Sequence, residues 1–283
     1  MPSSALGTTA QALRSFWRGG KPWFWGCVLV AIVALCYLGP LVIPLPAPNS
    51  TDFLHTLTPP LSPGHILGTD SLGRDLLSRC LYGGRISLEV GFGAVALGLV
   101  IGSTLGILAG YKGRLVDATI MRALDILLAF PALILALVVA TYLGPNERNI
   151  ILAIAFFTIP AYARLARATT LRIREMDYVR AARMWGASDW YVGFWHVFPN
   201  VILPVTTYAF ILVGVAMIIQ AALSFLGLGV PPPQASWGSI IASGQGDLSV
   251  APYISLIPGA FLFLSVVALN RLGDNLQRRI ASG

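Results

Sequence analysis

The chain has 283 residues, of which 56% are hydrophobic and 11% charged, where an ordinary soluble domain carries about 25% charged residues. A soluble fold of this length cannot hide so much apolar side chain, so the surplus must face lipid or other buried helices. The formal charge of +7 comes from 19 Lys plus Arg against 12 Asp plus Glu, and these cations are spread between apolar runs, which points to membrane orientation and not to nucleic acid.

Catalytic and metal chemistry find little footing. Cys27, Cys36 and Cys80 have no metal-ligand spacing, and Cys within an apolar run behaves as a small hydrophobe. His55, His65 and His196 lie far apart, and no HExxH, GxSxG or phosphate loop occurs. The sequence reads as that of a non-enzyme with no metal site of its own.

Taken in chain order, residues 1–23 form a basic amino tail with Arg14, Arg18 and Lys21, and 24–43 a first apolar span, Phe24–Ile43. No small-residue cleavage site comes after that span, so it is read as a retained anchor. Residues 44–85 form a segment rich in Pro, Ser and Thr that ends in a short polar helix-like stretch. Residues 86–270 form a core of five further spans: Ile86–Gly110, Ala118–Leu143, Asn149–Ala163, Asn200–Ala222 and Ala251–Asn270. A bilayer crossing needs about 20 apolar residues, so Asn149–Ala163 is short and is expected to continue as a helix beyond the membrane. Residues 271–283 form a second basic tail. The expected fold class is an all-α membrane protein of six transmembrane helices.

Six spans put both termini on one side, and charge selects which. The amino tail, Lys112, Arg114 and Arg122, the six arginines Arg164, Arg167, Arg172, Arg174, Arg180 and Arg183, and Arg271, Arg278 and Arg279 place fifteen cations on one face. Arg74, Arg79, Arg85 and Arg148 make four on the other. By the positive-inside rule both termini are cytoplasmic, and 44–85 and the Gly/Pro-rich 224–250 lie outside.

The most informative stretch is the cytoplasmic loop 164–198. Within it, Tyr178–Asn200 has the pattern of two short helices broken at Gly186. Ala181 and Ala182 form helix with minimal side chains, Gly186 suits a helix end requiring positive φ, and Ser188 or Asp189 can cap the second helix. Trp190, Phe194 and Trp195 add a large apolar load, and Pro199 opens the next span. An amphipathic hairpin lying on lipid is the plainer reading of such a segment.

Ala181-Ala182, three residues, Gly186, then nine residues leading into His196-Val197-Phe198-Pro199, resembles the cytoplasmic "EAA" loop of bacterial ABC importer permeases. Arg180 stands where the general pattern has Glu, His196 where it has an aliphatic residue and Phe198 where it has Leu. These departures weaken the case for a specific salt bridge to the ATPase and leave the small-residue and glycine geometry intact. Two more stretches, Leu67-Gly68-Thr69-Asp70-Ser71-Leu72-Gly73-Arg74-Asp75 and Leu223-Ser224-Phe225-Leu226-Gly227-Leu228-Gly229 with Ser236-Trp237-Gly238 beyond it, look like the second permease subunit of oligopeptide and dipeptide importers. That family also serves nickel and metal chelates.

The resemblance spans nearly the whole chain and implies ABC type I importer architecture. It implies Arg180, Ala181, Ala182, Gly186, Ala187, Ser188 and Asp189 as the coupling surface for the ATPase. It further implies a second homologous permease, two ATPase subunits that carry ATP and magnesium, and an extracytoplasmic binding protein, all at a bacterial inner membrane. No cofactor is then expected on this chain. Without the resemblance, Asp70, Arg74 and Asp75 read as a capped outer helix with an i,i+4 pair, and Gly227 and Gly229 as a tight turn.

Two acids lie within or beside apolar runs. Asp125 is expected to pair with Arg122, three residues earlier on the same face, in an intramembrane ion pair, and Glu89 to reach the outer interface. A proton-coupled carrier, the rival mechanism, would place acids nearer the midplane of broken helices. Peptides are the expected cargo, with nickel or a metal chelate as the alternative; the spans carry no His to line a route for a bare ion.

Overall fold

A computed structural model describes residues 22–282, so Arg14, Arg18 and Lys21 lie outside the described residues. Among those residues the regular structure is helical, with two isolated bridges, Ser62–His65 and Thr69–Asp75. In order the helices are α1 (Pro22–Val42), α2 (Leu76–Lys112), α3 (Arg114–Leu128), α4 (Ala132–Leu143) and α5 (Glu147–Arg174). They continue as α6 (Asp177–Met184), α7 (Asp189–Tyr191), α8 (Phe198–Phe225), α9 (Trp237–Ser243) and α10 (Tyr253–Ser282). Five of these stretches are long and apolar enough to cross a membrane alone, the fourth of them running from Asp189 to Phe225.

Helix α2 begins ten residues before the expected Ile86 because its polar first turns are satisfied by protein. Asp75 caps it, accepting from the Ser78 amide at 2.8 Å. Ser78 Oγ donates to Pro46 O at 2.8 Å and Arg79 Nη1 to Pro48 O at 3.2 Å. Arg85 Nε reaches Cys36 O in α1 at 2.8 Å. A hydropathy ruler stops where these side chains begin, but packing does not. Glu89, expected near the start of a span, therefore sits more than three turns into α2 and accepts from Tyr37 Oη at 2.9 Å.

Four glycines, Gly98, Gly102, Gly106 and Gly110, recur at every fourth residue of α2 and bring its backbone against α5. A Cβ on Gly102 would fall 2.8 Å from Tyr162 Cβ, one on Gly106 2.8 Å from Ala166 Cβ, and one on Gly110 2.9 Å from Thr170 Cβ. Close approach at small residues is how helices associate where lipid removes the hydrophobic drive. The contacts ascend in both helices together, so α2 and α5 run parallel.

Parallel neighbours require the chain to return between them, and α3 with α4 makes that return. The expected single span Ala118–Leu143 is instead two helices bent by 87°. The break falls at Ala129, Phe130 and Pro131; proline disfavours helix in the residue before it and removes an N–H from the ladder. The bent pair is thus one broken crossing, the third of six.

The remaining crossings are fixed by close contacts. Gly91 lies against Met217 of α8, Gly214 against Val266 of α10, Gly26 against Leu272, and Gly39 against Leu81. Residues 22 and 282 therefore share one end of the bundle with Lys112 and α6. The loop 43–75 and the Gly/Pro loop 226–236 share the opposite end. The continuation of the fourth span as helix appears as α5 running on to Arg174, so only 175–197 of the loop 164–198 stands clear of it.

The expected pair Arg122–Asp125 does not form. Asp125 accepts instead from Arg164 Nη2 of α5 at 2.6 Å, and Asp117 pairs with Arg167 of α5. An Arg placed N-terminal to its acid is the poorer orientation along a helix, while α5 lies close enough to offer its own arginines. The two cross-helix pairs fasten α3 to α5.

Candidate functional site

At one end of the bundle, α6 and α7 form a helical hairpin. Gly186 has φ +82 and no atom near its missing Cβ, so backbone conformation alone calls for glycine there. Its N–H bonds Arg183 O at 3.0 Å and that of Ala187 bonds Ala182 O at 3.1 Å, the two-bond pattern that closes a helix on a left-handed residue. Ser188, not Asp189, caps α7, accepting from the Tyr191 amide at 3.3 Å. Val192–Val197 then forms a π-helical turn running into α8; Pro199 just beyond has no N–H for a regular ladder.

The hairpin divides its apolar residues between anchor and display. Val179, Val192 and Val197 are fully buried, whereas Trp185 is 92% and Trp190 80% exposed. An apolar cluster of this kind marks a surface for another molecule. Arg180, Ala181, Ser188 and Asp189 are exposed beside it, and Ala182 and Ala187 are half-buried against the core. Arg180 donates to Glu175 at 2.7 Å, and that guanidinium holds the Glu175 carboxyl below its usual range.

Tyr111, which sequence reasoning passed over, ties the hairpin to α2. Its hydroxyl lies 2.8 Å from Asp189 O and 3.0 Å from Asp189 Oδ1, and the Arg183 guanidinium sits 5.4 Å from its ring centroid. Arg174, at the end of α5, donates to Gly110 O at 3.2 Å. A cavity of about 700 Å3, lined by Ile107, Leu108, Tyr111, Trp190 and Phe194, separates the hairpin from α2 elsewhere. The hairpin is thus tied to α2 through Tyr111, and α5, which leads into the hairpin, is tied to α2 through Arg174. An aromatic residue beside Lys112 at the end of an apolar run was the available signal.

At the opposite end, both sequence motifs close over the bundle. Asp70 and Arg74 pair at 2.7 Å in a buried loop, not on the helix expected for an i,i+4 pair. Asp70 Oδ1 also accepts from the amides of Leu72 and Arg74. Thr69 Oγ1 accepts from Thr58 N at 2.8 Å, and Asp75 Oδ2 meets His65 Nδ1 at 2.9 Å. Gly68 and Gly73 both have positive φ, and a Cβ on either would strike the preceding loop.

The second motif packs inward, apart from Phe225 and Leu226, which are half-exposed, and Gly227, whose positive φ makes an open turn. A Cβ on Gly229 would lie 2.7 Å from Ser224 Cβ, and one on Gly238 3.0 Å from the same atom. Trp237 is fully buried; its amide donates to Ser87 Oγ at 3.0 Å. Ser87 Oγ reaches Gln220 Oε1 at 3.4 Å, Gln220 Nε2 reaches Ser224 Oγ at 3.1 Å, and Ser224 Oγ lies 3.3 Å from Ser236 Oγ. Ser87 and Gln220 were also missed; a lone amide in an apolar run was their signal. Among the described residues no group of three or more His, Cys, Asp or Glu could hold a metal ion.

Residues 102–282 match the family described as binding-protein-dependent transport system inner membrane component. The chain is 40% identical to a glutathione transport system permease protein of Pectobacterium atrosepticum, covering 89% of this chain and 83% of the relative. It is 40% identical to a di/tripeptide transport system permease protein of Pseudomonas aeruginosa, covering 94% and 90% respectively. It is 41% identical to a probable D,D-dipeptide transport system permease protein of Escherichia coli, covering 81% and 77%. A crystal structure of an amino acid ABC transporter shares the fold, with a TM-score of 0.51 at 18% identity over 71% of this chain and 93% of that one. With its six crossings, its hairpin and its matched residues, the chain belongs to the inner membrane components of binding-protein-dependent transport systems, the multi-pass permease subunits of ABC transporters.

Proposed function

We propose that this chain is one permease half of an ATP-driven peptide importer, with the hairpin and both chain ends in the cytoplasm. The observation that carries the reading is the hairpin: an exposed aromatic face on one side, and on the other a direct tie to α2 through Tyr111 beside α5, which leads into the hairpin and is itself bound to α2 through Arg174. Two partner ATPase subunits hold ATP and its magnesium, and the surface around Arg180, Ala181, Ala182 and Gly186 docks into an ATPase subunit. Their closure moves the hairpin, and α2 and α5 move with it as a packed pair. A second, homologous permease completes the pathway, and a binding protein delivers cargo at the end capped by the Gly/Pro loop. The chain itself performs no bond chemistry.

Peptide cargo is supported by the relatives, which are named for dipeptides, di/tripeptides and glutathione at 40–41% identity. The orientation is supported by the fifteen cations on the hairpin side of the sequence. The test is uptake of radiolabelled trialanine by proteoliposomes holding the assembled transporter. Gly186→Pro and Ala182→Trp should each abolish uptake while the chain remains inserted. Uptake at the wild-type rate by both variants overturns the coupling role.

A further inference from the structure

We propose that a polar cavity between the start of α2 and the Gly/Pro loop binds the terminal carboxylate of the cargo; this rests on the peptide reading above. The cavity measures about 380 Å3 and is lined by Arg74, Arg79, Gln234, Ser239, Ser243 and the prolines just after Val230. Small-molecule sites span about 300–1,000 Å3, so there is room for the end of a peptide and not for a folded domain.

Charge favours an anion. Arg74 and Arg79 converge on a single acid: Arg74 Nε lies 2.7 Å and Arg79 Nε 3.5 Å from Asp70 Oδ2. Asp75, the other acid nearby, is engaged by the Ser78 amide and His65. Arg79 has a side chain only 5% exposed, and its Nε makes no hydrogen bond within the protein. Buried donors are normally satisfied, and one left open is costly unless a ligand or water completes it. Arg74, which also lines the cavity, reaches Asp70 through Nε, and no hydrogen bond among the described residues engages its terminal nitrogens.

Chemistry selects the anion. A planar guanidinium fork matches a carboxylate with two parallel hydrogen bonds. A free carboxylate is the group that unmodified peptides share whatever their side chains, so a transporter tolerant of sequence can hold it at every turnover. The facing wall is proline and glycine, which offers backbone and imposes little side-chain selection.

The test uses the whole transporter with its binding protein in proteoliposomes, and compares uptake of trialanine with that of trialanine amide. The binding protein is common to all samples, so a changed acid-to-amide ratio belongs to this chain. Arg74→Gln should lower the ratio about tenfold, the worth of a charge-assisted hydrogen bond, with stimulation of ATP hydrolysis by the binding protein retained. Ser243→Phe fills the cavity while both arginines stay in the chain, and should slow trialanine uptake comparably. It decides the matter if Arg74→Gln fails to assemble. An unchanged ratio in Arg74→Gln together with wild-type uptake in Ser243→Phe overturns the proposal. Joint loss of uptake and of ATPase stimulation assigns the cavity to an acidic side chain of the binding protein, which also overturns it. A wild-type transporter that imports no peptide overturns the peptide reading itself, and this inference with it.

Discussion

Trp237 donates its indole N–H to the backbone carbonyl of Cys80 at 2.8 Å, joining residues 157 positions apart. The same ring stacks on Phe261 with centroids 5.9 Å apart, and Gly84 on α2 has no Cβ where the ring lies. One side chain therefore holds the Gly/Pro loop, α2 and α10 together at the capped end.

Replacing that side chain should cost stability in proportion to what is removed. Trp237→Phe loses the hydrogen bond and some volume, for about 1–2 kcal/mol, whereas Trp237→Ala opens a cavity worth about 3–5 kcal/mol. Gly84→Ala should also destabilise, since its new Cβ would stand 2.7 Å from Trp237 Cζ2. Thermal unfolding at a fixed scan rate in one detergent checks the order, with Trp237→Ala lowest.

The four-residue glycine ladder makes a sharper demand. Gly102→Ala places a methyl group 2.8 Å from Tyr162 Cβ, and overpacking of this kind typically costs about 1–3 kcal/mol. Gly102→Leu should separate α2 from α5 and give a chain that inserts but does not assemble with its partners. Gly246→Ala, which has open space at its Cβ, should behave as wild type. Co-purification yield in mild detergent distinguishes the three.

Tyr111→Phe isolates one bond of the hairpin. The ring remains for Arg183 while the hydroxyl contact to Asp189 is lost. A hydrogen bond of about 1 kcal/mol corresponds to a several-fold change in an equilibrium, so peptide moved per ATP hydrolysed should fall several-fold while ATP hydrolysis persists. An unchanged ratio would show that the push passes through α5 and α8 without this bond.

Much of this architecture is legible in the sequence, because helices in lipid must be apolar and must satisfy their own backbone. The first, fourth, fifth and last spans, the break at Gly186 and the cap at Ser188 come from such local rules. Three of the errors have a common origin. Arg79 and Ser78 look too polar for a spanning helix until Pro46 and Pro48 are seen to accept from them. Asp125 looks committed to Arg122 until α5 brings Arg164 alongside. Ser87 and Gln220 gain meaning only when Trp237 lands on them from another loop. Each of the three is a tertiary contact overruling a neighbour in sequence, and no periodicity announces such a contact; the break of the third span at Pro131 has a local cause instead.

The Glu175–Arg180 pair carries a pH expectation with a definite sign. The Arg180 guanidinium lowers the Glu175 pKa in the folded hairpin, and an unperturbed Glu titrates near about 4.3. A depressed carboxyl contributes its stabilisation above the unfolded value and loses it as pH falls through the folded one. From about pH 6 to 8 the pair is therefore constant, and protection of α6 amides, corrected for intrinsic exchange, should not change across that window through this pair. Arg180→Gln should bring the Glu175 pKa back towards the ordinary value, so that α6 is less protected at neutral pH and its acid-side loss of protection is smaller than in wild type. Both residues are exposed, so added salt should shrink the difference between the two proteins. If the acid limb is the same in Arg180→Gln as in wild type, the pair does not hold the start of α6, and Gly186 and Ser188 alone set the shape of the hairpin.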